Sequence, residues 1–543
     1  MEEVLLDHDN GAVFKRILNC IPINGGVFMY DLIIKNGRII DGTGASPYFA
    51  DLAIRDGKIA CIAKNIADGK KVIDAKGLTV TPGFIDSHSH SDSDILMFPD
   101  QVEKAEQGIT TSIGGQCGAT KAPIGITHKA YDVGSFGKSS QVYKTMGTFL
   151  EIAKDVPLGS NLATFVGHSA LRNAVIGPYD RAPSKDELKE MGDLLREGIA
   201  HGALGISFGL IYPTSCFAQT DELIYLATVA AESGGILSAH IRDEGDKLVE
   251  ACEEFIEVIK ASGARGIFSH HKAMYKENWG KVNVTLGMID KANQAGCDIY
   301  CDTYPYTAAD TYLSAKFIPK EYKSGGMLAM KKNLSDPVIR ERIKSMHKKR
   351  FGADDDLSWV SITVCPSFPE YIGLRLSEIA KIHGKDVYDT IFDMLIANKQ
   401  NCEACFFLMA EEDLETVLAH PRCMICTDSS IRGNCEVYHP RLRASFPRAL
   451  GRYVRERGVV ALPEMIRKMT SLPAEVYGLC SKGILKEGFD ADICIFDADK
   501  IIDRADFTSC HERAEGLNYV LINGSVVVEN AVYNGTRAGK VLV

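Results

Sequence analysis

The sequence is short of several things, and each shortage removes a class of function. Positive charge is in deficit: 61 Lys and Arg stand against 71 Asp and Glu, a net −10, with no basic tract. Nucleic acid and anionic membrane surfaces are therefore not expected as main partners. No run of about 18 uncharged apolar residues occurs, so no transmembrane helix is expected. The opening MEEVLLDHDNGAVFKR is acidic first and has no apolar signal core, which argues against export. Gly 49 and Pro 19 are near average usage, so long disordered tracts are not expected. No internal repeat is evident. What is there is an ordinary globular composition, 45% hydrophobic and 24% charged over 543 residues. By length this allows three or four domains, although α/β barrels run long as one. The 16 cysteines, in a chain without an export signal, read as reduced thiols, core packing or metal ligands. The expected compartment is the cytoplasm.

Residues 1–28 read as a detached N-terminal extension, because a second Met, Met29, opens the strand-like MYDLIIKNGRIIDGTG. Residues 29–80 carry short β patterns. DLIIKNGRII has Asn-Gly between two apolar runs, a hairpin signal, and DLAIRDGKIACI repeats it with Asp-Gly. Residues 483–543 look similar, with ADICIFDADKII and then YVLINGSVVVENAVYNG. The two ends are expected to pair into one small β-sandwich domain. Between them, residues 81–482 alternate strand and helix. The strand candidates are Thr79–Ser87, Thr110–Gly114, Leu162–Gly167, Ala203–Phe208, Gly235–His240, Gly266–His270, Asp298–Tyr304 and Cys423–Thr427. Amphipathic stretches such as Asp246–Ser262 lie between them. The pattern predicts an α/β fold, a (β/α)8 TIM-like barrel. The stretch 313–420 exceeds one crossover and is expected to hold an insertion or lid.

The chemistry-bearing residues cluster at predicted strand ends. Phe84-Ile85-Asp86-Ser87-His88-Ser89-His90 is an apolar strand running into His-x-His, and residues i and i+2 share a face. Gly235 to His240 ends in His, and Gly266 to His271 ends in two. One such histidine is usually structural; three strands ending this way point to a metal site, since barrel active sites lie at the strand C-termini. Gly114-Gly115-Gln116-Cys117-Gly118 supplies a thiol, and Cys423 to Asp428 ends an apolar strand in a carboxylate that needs a partner. Cys402-x-x-Cys405 and Cys423-x-x-Cys426 have zinc-ribbon spacing. A ribbon is rejected, because i and i+3 on a strand diverge and the polar knuckle turns are absent.

Together these residues resemble the amidohydrolase superfamily, and most closely the N-acyl-D-amino-acid deacylases, or D-aminoacylases. The resemblance runs from about Met29 to the C-terminus. It is carried by PGFIDSHSHSD, GITT followed by QCG, VGHSALR, GALGISFGLIYP, SAHIRDE, SHHK, DTYPYTA, TDSSIRG, HPRLRASFPRALGRYVRE and GFDADICIFDADKIID. It implies a metal-dependent barrel with one or two Zn2+ per chain. His88 and His90 would hold one position, Cys117 would bridge, and His240 and His270 would hold the other, with His271 a neighbour.

The implied reaction is hydrolysis of the amide bond of an N-acyl-D-amino acid by metal-activated water, with Asp428 as general base and then acid. The substrate's α-carboxylate needs a local cation or donor. Lys272, Tyr304 and Arg441 are the candidates, with Arg432 and Arg443 as rivals to Arg441. His168 either lines the site or is a hydrogen-bonded structural residue. Asp310 stands where relatives often carry a small residue, which bears on substrate preference. The alternatives are a hydantoinase or dihydropyrimidinase-like cyclic amidase, a D-residue dipeptidase, and a non-catalytic scaffold. A small-molecule substrate is the expected partner, with homo-oligomer formation open.

Overall fold

The computed structural model describes residues 29–67, 69–93, 95–124, 143–398, 401–431 and 437–543. The expected extension at 1–28 and Arg432 lie outside the described residues. Eight parallel strands follow in chain order: β1 (Phe84–Asp86), β2 (Ile109–Gly114), β3 (Asn161–Thr164, resumed at Val166–Gly167), β4 (Gly205–Gly209), β5 (Ile236–His240), β6 (Gly266–Phe268), β7 (Ile299–Thr303) and β8 (Cys423–Ile425). Each pairs with the next, β7 with β8 across a long insertion in the chain. The Ser87 N–H donates to the Ile425 carbonyl at 3.4 Å, and the Asp428 N–H donates to the His88 carbonyl at 2.8 Å. These bonds join β8 to β1 and close the ring.

Strand alternation explains the two cores. Leu162, Phe268, Ile299 and Cys301 point outward onto helices, including the amphipathic Leu248–Ser262. Ala163, Ile267, Tyr300 and Met424 point inward and pack with Leu472, Val476 and Tyr477. The barrel interior is therefore filled at its lower end, and only the C-terminal rim is left for ligands. Helix Leu248–Ser262 stops at Gly263, which takes φ 70°.

The strands of both chain ends form one nine-stranded sheet. It is joined where Thr79–Pro82 pairs antiparallel with Ile493–Phe496. Two sequence expectations are corrected here. Thr79–Ser87 is not one strand: Thr79–Pro82 belongs to the terminal sheet and β1 to the barrel, with Gly83 between them. A Cβ on Gly83 would fall 2.2 Å from Thr110 Cγ2, so the chain crosses between the sheets where only glycine fits. Asn36-Gly37 is not a hairpin turn either. It lies inside the single strand Leu32–Ile39 as a β-bulge, with Asn36 at φ 61° and its N–H donated to Asp51 Oδ1 at 2.9 Å. Asp56-Gly57 and Asn523-Gly524 do turn two-residue hairpins.

Between β7 and β8 the chain builds a three-stranded antiparallel sheet, Ala309–Tyr312, Glu403–Phe406 and Val360–Val364, with helices packed on a core of their own. Cys402, Cys405, Cys423 and Cys426 are buried free thiols in different surroundings, consistent with the rejected ribbon.

Candidate active site

The C-terminal rim gathers side chains from five strand ends. His88 follows β1, Cys117 follows β2, His240 ends β5, His270 follows β6 and Asp428 follows β8. All five are buried. Cys117 Sγ lies 3.4 Å from His88 Nε2, 3.6 Å from His240 Nδ1 and 3.5 Å from His270 Nε2. Zn–S of about 2.3 Å and Zn–N of about 2.0 Å at a tetrahedral angle put S and N roughly 3.5 Å apart. The thiol–imidazole spacings thus match the edges of a metal's coordination shell. His88 Nε2, His240 Nδ1 and His270 Nε2 all turn to Cys117 Sγ, while Asp302 Oδ2 and Glu244 Oε2 stand 3.5 Å behind His88 Nδ1 and His240 Nε2, as carboxylates that orient ligating histidines do.

His90 sits at the edge, its side chain 17% exposed, with Nε2 3.2 Å from Asp428 Oδ1. The same oxygen is 3.5 Å from His88 Nε2, while Asp428 Oδ2 accepts from Arg441 Nη1 at 2.8 Å. Cys117, His270 and Asp428 all hold positive φ, 53°, 36° and 49°. Three non-glycine residues in the left-handed region of one site mark backbone strain held by the surrounding packing.

Electrostatics follow from burial and crowding. Burial pushes the Cys117 thiol up, but His88, His240 and His270 outweigh it and hold the thiol well below its ordinary range. Burial likewise raises Asp428, and Arg441, His270, His90 and His88 bring it well below the usual carboxylate range. Glu244 is the functional-looking residue that sequence reasoning missed. Its carboxylate meets Lys272, lies 3.0 Å from His270 Nδ1 and 3.5 Å from His240 Nε2, and is held ionised against its burial chiefly by Lys272. Its only signal was its position four residues after His240. Asp302 was also missed. It takes the His270 N–H at 2.6 Å on Oδ1 and places Oδ2 3.5 Å from His88 Nδ1, so it orients two of the histidines.

The structure brings Lys272, Tyr304 and Arg441 to the wall of one cavity of about 200 Å³, which His240, His270 and Asp428 also line. Lys272 is shared with Glu244 and donates to His270 Nδ1 at 2.6 Å. Among the described residues Tyr304 OH has only Met409 Sδ, at 3.8 Å, and the Arg441 guanidinium stacks 4.9 Å over the Tyr304 ring. Arg443 turns away to Glu103 and Glu106. His168 is a structural histidine: its ring bonds Ser215 Oγ at 2.8 Å and Glu222 Oε1 at 2.9 Å. His271 bonds Thr285 Oγ1 at 2.7 Å behind the site. Asp310 lines the cavity and bonds Thr363 and Tyr438.

A closed α/β barrel with imidazoles, a thiol and a carboxylate converging on its C-terminal rim has the architecture of a metal-dependent hydrolase. The chain belongs to the amidohydrolase family, which it matches over residues 71–354 and 408–528. It is 34% identical to a D-aminoacylase of Alcaligenes xylosoxydans xylosoxydans over 515 residues, covering 94% of this chain and 97% of that one. An N-acyl-D-glutamate deacylase from Bordetella bronchiseptica, solved with zinc and a phosphonate mimic of the tetrahedral intermediate, superposes with a TM-score of 0.83. It is 34% identical, with 95% of this chain and 99% of that chain covered. A D-aminoacylase structure described by its binuclear metal centre gives a TM-score of 0.82 at 33% identity, covering 94% and 99%.

Proposed function

We propose that the protein hydrolyses N-acyl-D-amino acids to a carboxylate and a free D-amino acid, with one or two zinc ions per chain. The observation that carries this is the convergence of Cys117, three imidazoles and an Arg-anchored Asp428 on one cavity wall. His88, His90 and Cys117 would hold one ion, and Cys117, His240 and His270 the other. Bound zinc supplies carbonyl polarisation and a water acidified to a pKa of about 7.

The chain's own residues supply the rest. Arg441 pins Asp428 Oδ2, so Oδ1 is the oxygen presented toward His88 and His90. Oδ1 takes the proton of the attacking water and returns it to the leaving amine nitrogen. Among the described residues Arg441 Nε has no hydrogen-bond partner and Tyr304 OH has only a thioether. With Lys272 they bind the substrate's α-carboxylate, through Arg441 as a charge-assisted donor. Selection of the D enantiomer follows the relatives. No helix among the described residues is long and apolar enough to cross a membrane. The net charge of −10 supports a small-molecule substrate rather than nucleic acid as the main partner.

The test is a paired assay of purified protein: amine release from N-acetyl-D- and N-acetyl-L-methionine, leucine, phenylalanine and glutamate, with zinc measured on the same sample. D-selective release with zinc bound is the expected result. Zinc without release from either series would move the reaction to cyclic amides or D-dipeptides.

A further inference from the structure

The cations along the cavity wall are not equivalent. Lys272 and Lys316 both face Glu244, and Arg441 faces Asp428. Lys323 has no such match. It lines the cavity and is only 4% exposed. Among the described residues its Nζ has one hydrogen bond, 3.5 Å to the Ala315 carbonyl, and no carboxylate within 4.0 Å. A buried ammonium without a counter-ion is costly unless an anion arrives to complete it.

A second feature points to the same place. Helix Gly326–Leu334 begins on the cavity wall, where Gly326 and Met327 line the space. Gly325 and Gly326 hold φ 87° and 80°, and no side chain caps the first turn. The Gly326 N–H is taken by the Lys323 carbonyl at 3.2 Å, so what this helix start offers the cavity is the positive end of its dipole. Its position is fixed by the Gly325 N–H, which donates to the Pro178 carbonyl at 2.8 Å. Met327 and Met330 complete the wall, so the group received there has an apolar stem ending in an anion.

We propose that this end of the cavity is a second anion subsite with Lys323 as its cation, and that the enzyme takes N-acyl-D-amino acids bearing a second carboxylate. The second carboxylate belongs either to an acidic side chain or to a dicarboxylic acyl group. Burial lowers the Lys323 ammonium to about 8, so it stays mostly charged near pH 7. The neighbouring Cys216 thiol, pushed up by burial, stays neutral and is no substitute counter-ion. The inference rests on the deacylase reading above.

The experiment compares kcat/KM of the zinc-loaded full chain on N-acetyl-D-glutamate, its neutral isostere N-acetyl-D-glutamine, N-succinyl-D-methionine and N-acetyl-D-methionine. At least one dianion should exceed its monoanionic counterpart by roughly tenfold or more. The winning pair tells a side-chain source from an acyl source. Lys323→Met should collapse that ratio, and Lys323→Arg should keep most of it. No dianion preference in the wild type overturns the subsite even if the variants do not fold. An unchanged ratio in Lys323→Met also overturns it. Absence of turnover on all four substrates overturns the deacylase reading itself, and the subsite with it.

Discussion

Two buried polar clusters lie back to back at the junction of β8 and β1, and they differ in one respect. Behind the rim, the fully buried Lys104 donates to Asp86 Oδ2 at 2.9 Å, Thr427 Oγ1 at 2.7 Å, Ser429 Oγ at 3.1 Å and the Ser429 carbonyl at 3.2 Å. Asp86 Oδ1 in turn takes the Thr427 N–H at 2.8 Å. Every charge there is answered. In front, Cys117 Sγ gathers three imidazole nitrogens, and among the described residues His88 Nδ1, His240 Nε2 and Asp302 Oδ2 make no hydrogen bond. A saturated network is scaffold, whereas an unsaturated one is shaped for something that arrives. The two meet at Asp428, flanked in sequence by Thr427 and Ser429, so the rear cluster sets where the carboxylate of the front cluster stands.

The sharpest way to test the front cluster is Asp428→Asn. It should lower kcat by about 10²–10⁴-fold while zinc content, measured by elemental analysis, is retained. Near-normal turnover would remove Asp428 from the chemistry. The rear cluster should break differently. Lys104→Met leaves the Asp86 carboxylate buried without its counter-ion, with only Thr427 still donating to it, and urea unfolding should show a loss of about 3–5 kcal/mol. A loss below about 1 kcal/mol would mean that the cluster is not the scaffold its saturation implies. Asp302→Asn keeps an acceptor for the His270 N–H but removes the charge beside His88. Zinc affinity, read by chelator competition, should fall roughly 10–100-fold with little change in fold stability.

The smallest effect belongs to a third network, in the terminal sheet. Burial raises Asp490, but Lys58, Ser481 and Lys482 bring it down to about 2, against an ordinary value of 3.8. A depressed carboxylate stabilises the fold above its unfolded pKa and loses that contribution as pH falls through the folded one. Wild type should therefore exceed Asp490→Asn in Tm near pH 6, with the gap closing between pH 3.8 and about 2. Because Lys58 is 48% exposed, the gap should be worth at most about 1 kcal/mol.

The front cluster was largely legible from sequence, and for a stateable reason. Short apolar runs ending in His, Cys or Asp fix both the strand and the rim, and a barrel brings all such ends together. Glu244 and Asp302 were not legible, because they act through their neighbours: one is a loop residue past β5, the other an ordinary strand residue of β7. Lys323 lies in the insertion, whose sheet and helices follow no barrel repeat. Asn36-Gly37 misled because the left-handed asparagine of a hairpin turn also serves a bulge. Only Asp51, from the neighbouring strand, decides between them.

The junction at Thr79–Pro82 has a consequence for how the molecule is made. Thr81 and its partner Cys494 are 413 residues apart in the chain. At a ribosomal rate of about 5–20 residues per second, the interval between their synthesis is roughly 20–80 s. For that time the strand feeding directly into β1 and His88 stands as an open sheet edge in a chain still being extended, which is the condition under which strands pair with the wrong neighbour. The terminal sheet therefore ties completion of the catalytic rim to the synthesis of Ile493–Phe496, and a pause in the message before that strand would lengthen the nascent chain's exposure to misassembly.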